Sequence, residues 1–517
     1  MSASPNALAS SSRIKLNPAE EKFCALLNDF SASYDPPVEC RIAGGWVRDK
    51  LLNLPSSDLD IALPLTSGFD FAYSFVSFLK DRHDDVAVGS VGKVAANPDQ
   101  SKHLETGTTR IMGLECDFVG LRSETYTDSR IPNEKLGTPL DDALRRDLTI
   151  NALFYNVASQ TVEDLTGKGL DDLEARIART PLPPKQTFSD DPLRVLRTIR
   201  FAGRFQLRVE ESAAEAARDK EVQAALRTKV SKERIGIEIT KTIEKSPLLG
   251  LQLISDLGLH DSIFTCPGLT TNPPRESALQ MGLVLDEVLR RWGEKVDGVE
   301  HLWLGAALRP FDGEVVKGKK ELPAVTVVIA EGLKVSFLSN EANRAASNLF
   351  VAQTLLDPHA TDRAEIGVVL QNQAVRPWRR SVVWALAQRI LSQWEKDGKW
   401  TEASEAELQL WKGYAKRVEE LCLEEAIDKP LMLTLKGKTL LPLLSIKPGP
   451  LVQVILKSIN IWQLNHPDAS KEDCESWVKG MWECEGRKEW EAAVPAPPTK
   501  EKKPKAEKAD KGEKRKR

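Results

Sequence analysis

Arg41-Ile-Ala-Gly-Gly-Trp-Val-Arg-Asp49, a connection ending in Pro55-Ser-Ser57, and then Asp58-Leu-Asp60-Ile-Ala-Leu63 form the stretch on which the fold turns. In a strand, residues two apart share a face, so Asp58 and Asp60 point one way and Leu59 and Ile61 the other. Two adjacent carboxylates left partly open suit magnesium bridging to phosphate, and two such ions about 4 Å apart stabilise attacking and leaving oxygens. A lone Asp-x-Asp is weak evidence, because the same pair occurs on solvated strand ends. Gly44-Gly45 strengthens it: backbone amides without side chains can approach a triphosphate. Lys50 to Leu54 reads as a short helix before the Pro-Ser-Ser turn. Glu115-Cys-Asp117-Phe-Val-Gly-Leu-Arg122 offers a third carboxylate from a neighbouring strand, with Glu115 and Asp117 on one face. Asp117 is preferred, and Glu115 reads as an adjacent exposed acid.

Outward from that stretch, short apolar runs alternate with polar and Gly-containing connections between Val38 and Tyr155, the pattern of a mixed α/β domain. After Asp171 the period becomes helical, through Pro192 to Phe205, Ala213 to Ala225 and Lys232 to Glu244, and stays so to Trp490. The nine tryptophans from Trp378 to Trp490 read as interhelix packing rather than a base-stacking platform. A length of 517 residues exceeds one core and implies about two to four domains. An apolar content of 41%, with no long uncharged apolar run, indicates a soluble globular chain without a membrane span.

Seven scattered cysteines with no Cys-x-x-Cys indicate a reducing compartment and no structural zinc. The Ser-rich start, with Arg13 and Lys15 and no acid before Glu20, reads as a disordered tail or a weak mitochondrial presequence. From Lys500 to Arg517, ten Lys or Arg stand against four acids, a local +6 that leaves −9 on the rest of a chain of net charge −3. Phosphate binding by so acidic a body requires local basic surfaces. Lys514-Arg515-Lys516-Arg517 reads as a nuclear-import patch or RNA-contacting arm, and equally as a solvated tail.

Together with Arg145-Arg146-Asp147-Leu-Thr-Ile-Asn151-Ala-Leu153 and Asp190-Asp191-Pro-Leu-Arg194-Val-Leu-Arg197, these motifs resemble, in order and separation, the tRNA nucleotidyltransferases, the CCA-adding enzymes. The match is to the bacterial and eukaryotic class of the polymerase-beta-like superfamily. It is strong from Val38 to Thr242, including Glu233-Arg-Ile-Gly-Ile-Glu238. Asn97 to Thr106 and Gly437 to Pro450 are similar to the fungal branch, although Gly120 stands where Asn is common. From about Gly250 to Pro430 the likeness is only of length and helicity. The implied fold is α+β: a polymerase-beta-like nucleotidyltransferase head with a mixed sheet, followed by an all-α neck, body and tail. The implied divisions are an extension or presequence (1–35), head (36–157), neck (158–250), body (251–430), tail (431–492) and a disordered Lys-rich end (493–517).

The resemblance implies Asp58, Asp60 and Asp117 as catalytic residues, with Asp58 and Asp60 holding two Mg2+ ions. It implies nucleotide contacts by Gly44, Gly45, Arg48, Asp49, Arg145, Arg146, Asp147, Asn151, Asp190, Asp191, Arg194 and Arg197. Asp191 and Arg194, three apart, lie on one helical face. Cytosine and adenine both show an amino donor beside a ring-nitrogen acceptor, so a carboxylate and a guanidinium fit them and repel uracil and guanine. Read from the residues alone, Asp191 before Pro192 is a helix cap; the family reading makes it a base reader, with Asp190 as cap or orienting partner. Arg197 supports phosphate or Asp191. Arg145 and Arg146 contact phosphate, Asp147 accepts from a ribose hydroxyl, and Asp49 contacts the nucleotide or only fixes Arg48. Ser123 to Asn133 falls where relatives carry a flexible loop, and Lys436 to Pro450 where they contact the upper half of tRNA.

The implied reaction is attack of a tRNA 3′-hydroxyl on the α-phosphate of CTP or ATP, releasing pyrophosphate. The implied partners are tRNA, CTP and ATP, with residence in cytoplasm, nucleus and mitochondrion. Alternatives are a CC-only or A-only enzyme of the same family, a poly(A) polymerase, and an inactive RNA-binding protein.

Overall fold

The computed structural model describes residues 14–94, 105–125, 133–270, 273–318, 320–334, 340–433 and 440–495. The presequence and Lys-rich-tail expectations fall mostly outside these residues, as do most of the Asn97 to Thr106 motif, the centre of the Ser123 to Asn133 loop, and Gly437 to Thr439 of the tail motif.

The chain begins its folded part with α1 (Pro18–Ala32), started by a capping box between Asn17 and Glu20. Its apolar stripe of Phe23, Leu27 and Phe30 belongs to the head core, and Phe30 packs on Phe71 and Phe75. Residues 18–32, grouped above with an N-terminal extension, are therefore part of the head. There follow β1 (Arg41–Ala43), α2 (Gly45–Leu51), β2 (Asp58–Leu63), α3 (Gly68–Arg82), β3 (Gly92–Val94), β4 (Thr106–Ile111) and β5 (Leu114–Gly120). The helix after Gly44 starts five residues before the expected Lys50, and Asn53 at φ 55° closes the segment that follows it.

A hairpin of β6 (Arg122–Thr125) and β7 (Asn133–Leu136) stands apart, and α4 (Pro139–Leu144), β8 (Phe154–Asn156) and β9 (Thr161–Glu163) complete the head. The seven-stranded sheet has the order β3-β4-β5-β2-β1-β8-β9. Only β2 and β5 run parallel, joined by a crossover through α3. That helix lies so close to β5 that a Cβ on Gly68 would fall 1.9 Å from the Phe118 carbonyl oxygen, which is why glycine starts it.

The helices α5 (Gly169–Glu174), α6 (Pro184–Asp190), α7 (Leu193–Phe205), α8 (Glu211–Arg218), α9 (Lys220–Lys229) and α10 (Lys232–Lys245) follow. Phe201 and Phe205 of α7 enter the same core as Ile42, Trp46, Leu59 and Ile61. This shared core pins α7 to the head. Helices dominate from there on, interrupted only by the two-residue strand pairs Ile177–Ala178 with Arg208–Val209 and Val315–Val316 with Leu322–Pro323 among the described residues, so the fold is the expected mixed-sheet head followed by a helical remainder.

Two compact units emerge: Met1–Thr354 with Arg379–Leu408, and Leu355–Trp378 with Gln409–Arg517. Leu355–Trp378 thus groups with the later helices. The second unit has its own core, with Val452, Ile455 and Ile459 of the helix Pro450–Asn465 packed with Cys474, Val478 and Trp490. Lys447-Pro-Gly-Pro450 turns between the helices Leu440–Leu444 and Pro450–Asn465, as its composition predicts.

Candidate active site

Along β2, Asp58 and Asp60 are exposed while Leu59 and Ile61 are fully buried, so the alternation is the one that an Asp-x-Asp strand requires. In the parallel ladder Asp58 lies opposite Glu115, and Asp60 opposite Asp117. Four carboxylates therefore share one face on two adjacent strands. Glu115 is taken by an exposed ion pair with Arg110, whereas Asp117 is half-buried beside Asp60.

Enclosure by protein, and then the charges of Asp58, Asp117 and Asp142, push the Asp60 carboxyl up to about 6, with Arg146 opposing. Asp60 is nevertheless exposed by surface area. With the side chain open to solvent, the like charges of Asp58 and Asp117 on the same face are a physical cause of the rise that does not depend on burial. Among the described residues no group of three or more His, Cys, Asp or Glu converges as a closed metal cage. Magnesium asks for less: one or two carboxylates, several waters and substrate phosphates. The hard, mutually repelling oxygens of Asp58 and Asp60 fit that donor set.

Gly44 serves this face differently from the expectation. Its N–H donates to the Leu153 carbonyl at 2.9 Å, so it is not a phosphate donor. Glycine is needed there because φ is +69° and a Cβ would lie 2.5 Å from Nη1 of Arg146. Gly45 has no such crowding, since its Cβ would meet only Arg48 Nη2 at 3.7 Å.

The two arginines after α4 are held by one acid. Asp142, 2% exposed, accepts from Arg145 Nε at 2.7 Å and from Arg146 Nη2 at 2.8 Å. It also accepts the Arg122 backbone N–H at 3.2 Å. Burial alone would raise its carboxyl, but Arg146 and Arg145 more than reverse this and hold it at about 2. Arg145 Nη1 also donates to Glu124 on β6 at 2.9 Å, and Arg146 Nη1 to the Asn151 carbonyl at 3.1 Å.

Asp147 is not placed to meet a ribose. It is 6% exposed, and its Oδ1 accepts from Leu148 N–H and Asn151 Nδ2, its Oδ2 from Arg197 Nε at 2.7 Å. Burial would raise it, yet Arg197 and these bonds hold it at about 2. The chain of contacts continues from Asn151 Oδ1 to Arg48, whose Nε and Nη2 bind Asp49 and whose guanidinium lies 4.4 Å over Phe205. Asp49 fixes Arg48, and Arg48 is buried. Arg197 makes its side-chain hydrogen bond to Asp147 and also feels the charge of Asp191.

Asp191 stands just before the start of α7. Asp191 Oδ1 accepts the Leu193 N–H at 3.2 Å, and Oδ2 accepts from Arg234 of α10 at 3.0 Å. A carboxylate has about four lone-pair sites, so capping leaves room for a base. Arg194 donates from Nη2 to the Arg145 carbonyl at 2.7 Å and lies 3.5 Å from Glu124. Neighbouring Asp190 is half-buried, and its carboxyl is raised by burial, opposed by Arg194. Sequence reasoning missed Asp142, Glu124 and Arg234. Arg234 stood within the quoted Glu233 to Glu238 motif without a role, while Asp142 reads only as a first-turn acid.

A model of the poly A polymerase head domain matches residues 40–179. The mitochondrial CCA tRNA nucleotidyltransferase of Candida glabrata is 34% identical over 91% of this chain and 96% of its own length. The chain belongs to the CCA tRNA nucleotidyltransferases. A tRNA nucleotidyltransferase of Schizosaccharomyces pombe is 35% identical over 91% of this chain and 99% of its own. The crystal structure of the Bacillus stearothermophilus CCA-adding enzyme in complex with CTP shares the fold, with a TM-score of 0.62 at 17% identity, over 92% of this chain and all of that one. Membership of this CCA tRNA nucleotidyltransferase family thus spans nearly the whole chain, including residues 250–430, where sequence motifs are silent.

Proposed function

We propose that this chain completes the 3′ end of tRNA by adding C, C and A from CTP and ATP without a nucleic-acid template, releasing pyrophosphate. The observation that carries the chemistry is the register of β2 on β5, which sets Asp58, Asp60 and Asp117 on one open face. In this reading residues 36–157, with α1, form the head, 158–250 the neck, 251–430 the body and 431–492 the tRNA-contacting tail.

Asp58 and Asp60, with Asp117 beside them, would hold magnesium. When bound, two such ions neutralise charge on the attacking and leaving oxygens. Arg146, next to Asp60 and Gly44, supplies positive charge to the triphosphate from the rim of the same cleft. Asp191 accepts from the exocyclic amino group of cytosine or adenine, and Arg194 donates to the ring nitrogen after leaving Glu124 and the Arg145 carbonyl. A uracil or guanine would leave these partly buried groups unpaired, which can discriminate by roughly 10⁴-fold. Asp142, Asp147, Asn151 and Arg48 position the arginines rather than touch substrate. The names of relatives support the mitochondrion as the compartment; nucleus and cytoplasm are a further part of the proposal, resting on Lys514 to Arg517.

The test supplies labelled CTP and ATP, separately and together, to tRNA transcripts ending before CCA, after C and after CC. Addition of C to the first two and A only to the last is expected. Incorporation of one nucleotide alone would replace the reading by a partial enzyme of the family, and an ATP-only run on any RNA end by a poly(A) polymerase.

A further inference from the structure

Within the second unit, the end of the helix Arg363–Leu370, the segment near residue 428 and one face of the helix Pro450–Asn465 line a shallow cavity of about 520 Å³ that is open to solvent along one side. That is inside the range of roughly 300–1,000 Å³ that small ligands fill. None of its residues belongs to the candidate active site.

On one wall, Gln371 Nε2 donates to Asn460 Oδ1 at 3.2 Å, and Asn460 Nδ2 donates to Gln371 Oε1 at 2.6 Å. Each amide keeps one N–H and one oxygen lone pair beyond this closed pair. The pair thus shows donors beside acceptors, complementary to the edge of a nucleobase. Leu431 and Leu456, both half-buried, supply apolar surface for a ring. Exposed Gln453 adds another amide at the rim.

The charges are divided in a useful way. Arg376 is committed to Asp428 and, through Nη2, to the Ile427 carbonyl at 2.9 Å. Lys429 and Lys457 line the same cavity, are exposed, and make no ion pair among the described residues. Two cations beside an amide wall and apolar side chains match one ligand chemistry better than any other: a base, a sugar and a phosphate.

We propose that this cavity binds one nucleoside phosphate, its ring against Leu431 and Leu456, its base edge on the Gln371–Asn460 pair, and its phosphate between Lys429 and Lys457. The ligand is either a free mononucleotide or one unstacked nucleotide of an RNA.

Hydrogen exchange of the full chain distinguishes these sources, read on peptides covering 371–376, 427–431 and 453–460. The probes are CMP, AMP, inorganic phosphate and a tRNA transcript. Protection of all three segments by CMP or AMP, but not by phosphate, supports a free nucleotide; protection by tRNA alone supports an RNA nucleotide. The double variant Lys429→Ala/Lys457→Ala should abolish that protection. If RNA is the source, it should also weaken RNA binding several-fold and reduce the salt slope of log K by between about 1 and 2. Gln453→Ala should weaken the same binding without changing the slope. No protection by any nucleotide or RNA overturns the proposal, as does a loss on lysine removal that Gln453→Ala does not share, which would reduce the lysines to general surface charge.

Discussion

Two sets of aspartates in the head are built in opposite ways. Asp58 and Asp60 stand exposed on a strand face, with no side-chain hydrogen bond or ion pair among the described residues. Asp142 and Asp147 are buried, and both oxygens of each are engaged by arginines, amides or the backbone. The first set carries repulsion that a cation would relieve, and the second has its partners already in the fold. Asp147 closes the Arg145-Arg146-Asp147 motif, yet it belongs to the second set. A motif residue beside an active site is therefore not by that fact a residue that touches substrate.

The largest effect is expected where the two sets differ most. Asp58→Ala or Asp60→Ala should lower single-turnover addition of either nucleotide by at least about 10²–10³-fold, the loss that follows removal of one strong electrostatic stabiliser. Thermal melting should be unchanged or slightly raised, because a like charge has been taken from the cluster. Turnover near that of the parent chain would remove the metal role; a collapse in melting temperature would place these acids among the structural ones.

Asp142→Asn tests the other side. It leaves Arg145 and Arg146 short of their shared counter-charge, and breaking a buried pair in this way costs about 3–5 kcal/mol, measurable by urea denaturation at pH 7. The pH dependence follows from the direction of the shift. The Asp142 carboxyl is held at about 2 in the folded chain, against about 3.9 unfolded. Its contribution is therefore complete above pH 4 and is lost as pH falls through 2. The stability gap between parent and variant should narrow over that window. A gap of constant size from pH 7 to pH 2 would mean that shape rather than charge is at stake.

The same contrast marks what could be read from the residues. Alternation in Asp58-Leu-Asp60-Ile exposes its own pattern, since a strand's period of two needs no knowledge of distant chain. The β2 to β5 register was open to anticipation because both strands carry acids at matching alternate positions. Glu124 and Arg234 were not, because their partners sit 21 and 43 positions away, Glu124 with Arg145 and Arg234 with Asp191; Asp142 has Arg145 and Arg146 close by in the chain, but it also takes the Arg122 N–H from 20 positions back. Nothing local distinguishes a buried first-turn Asp from a solvated one. The amphipathic α1 was misplaced for a related reason: its stripe has meaning only once Phe71 and Phe75 stand opposite. At Gly44 the residue type was read correctly and its cause was not, since the crowding comes from Arg146, far along the chain.

Asp191 lies between the two sets, half-buried, with one oxygen capping α7 and the other on Arg234, and it gives the smallest but most discriminating test. Asp191→Ala removes the cap and should cost about 1 kcal/mol in stability. Asn caps a helix about as well as Asp, so Asp191→Asn should spare most of that stability. It replaces one acceptor oxygen by a donor, however, and removes the charge facing Arg234. If Asp191 reads the base, Asn should still lower kcat/KM for CTP and ATP and narrow their advantage over UTP and GTP. Were Asp191 without a part in base reading, the Asn variant would keep the parent's nucleotide preference, whatever the loss of the Arg234 pair does to stability. The two substitutions together thus separate a helix start from a base reader at one side chain, which melting or kinetics on the Ala variant alone would confound.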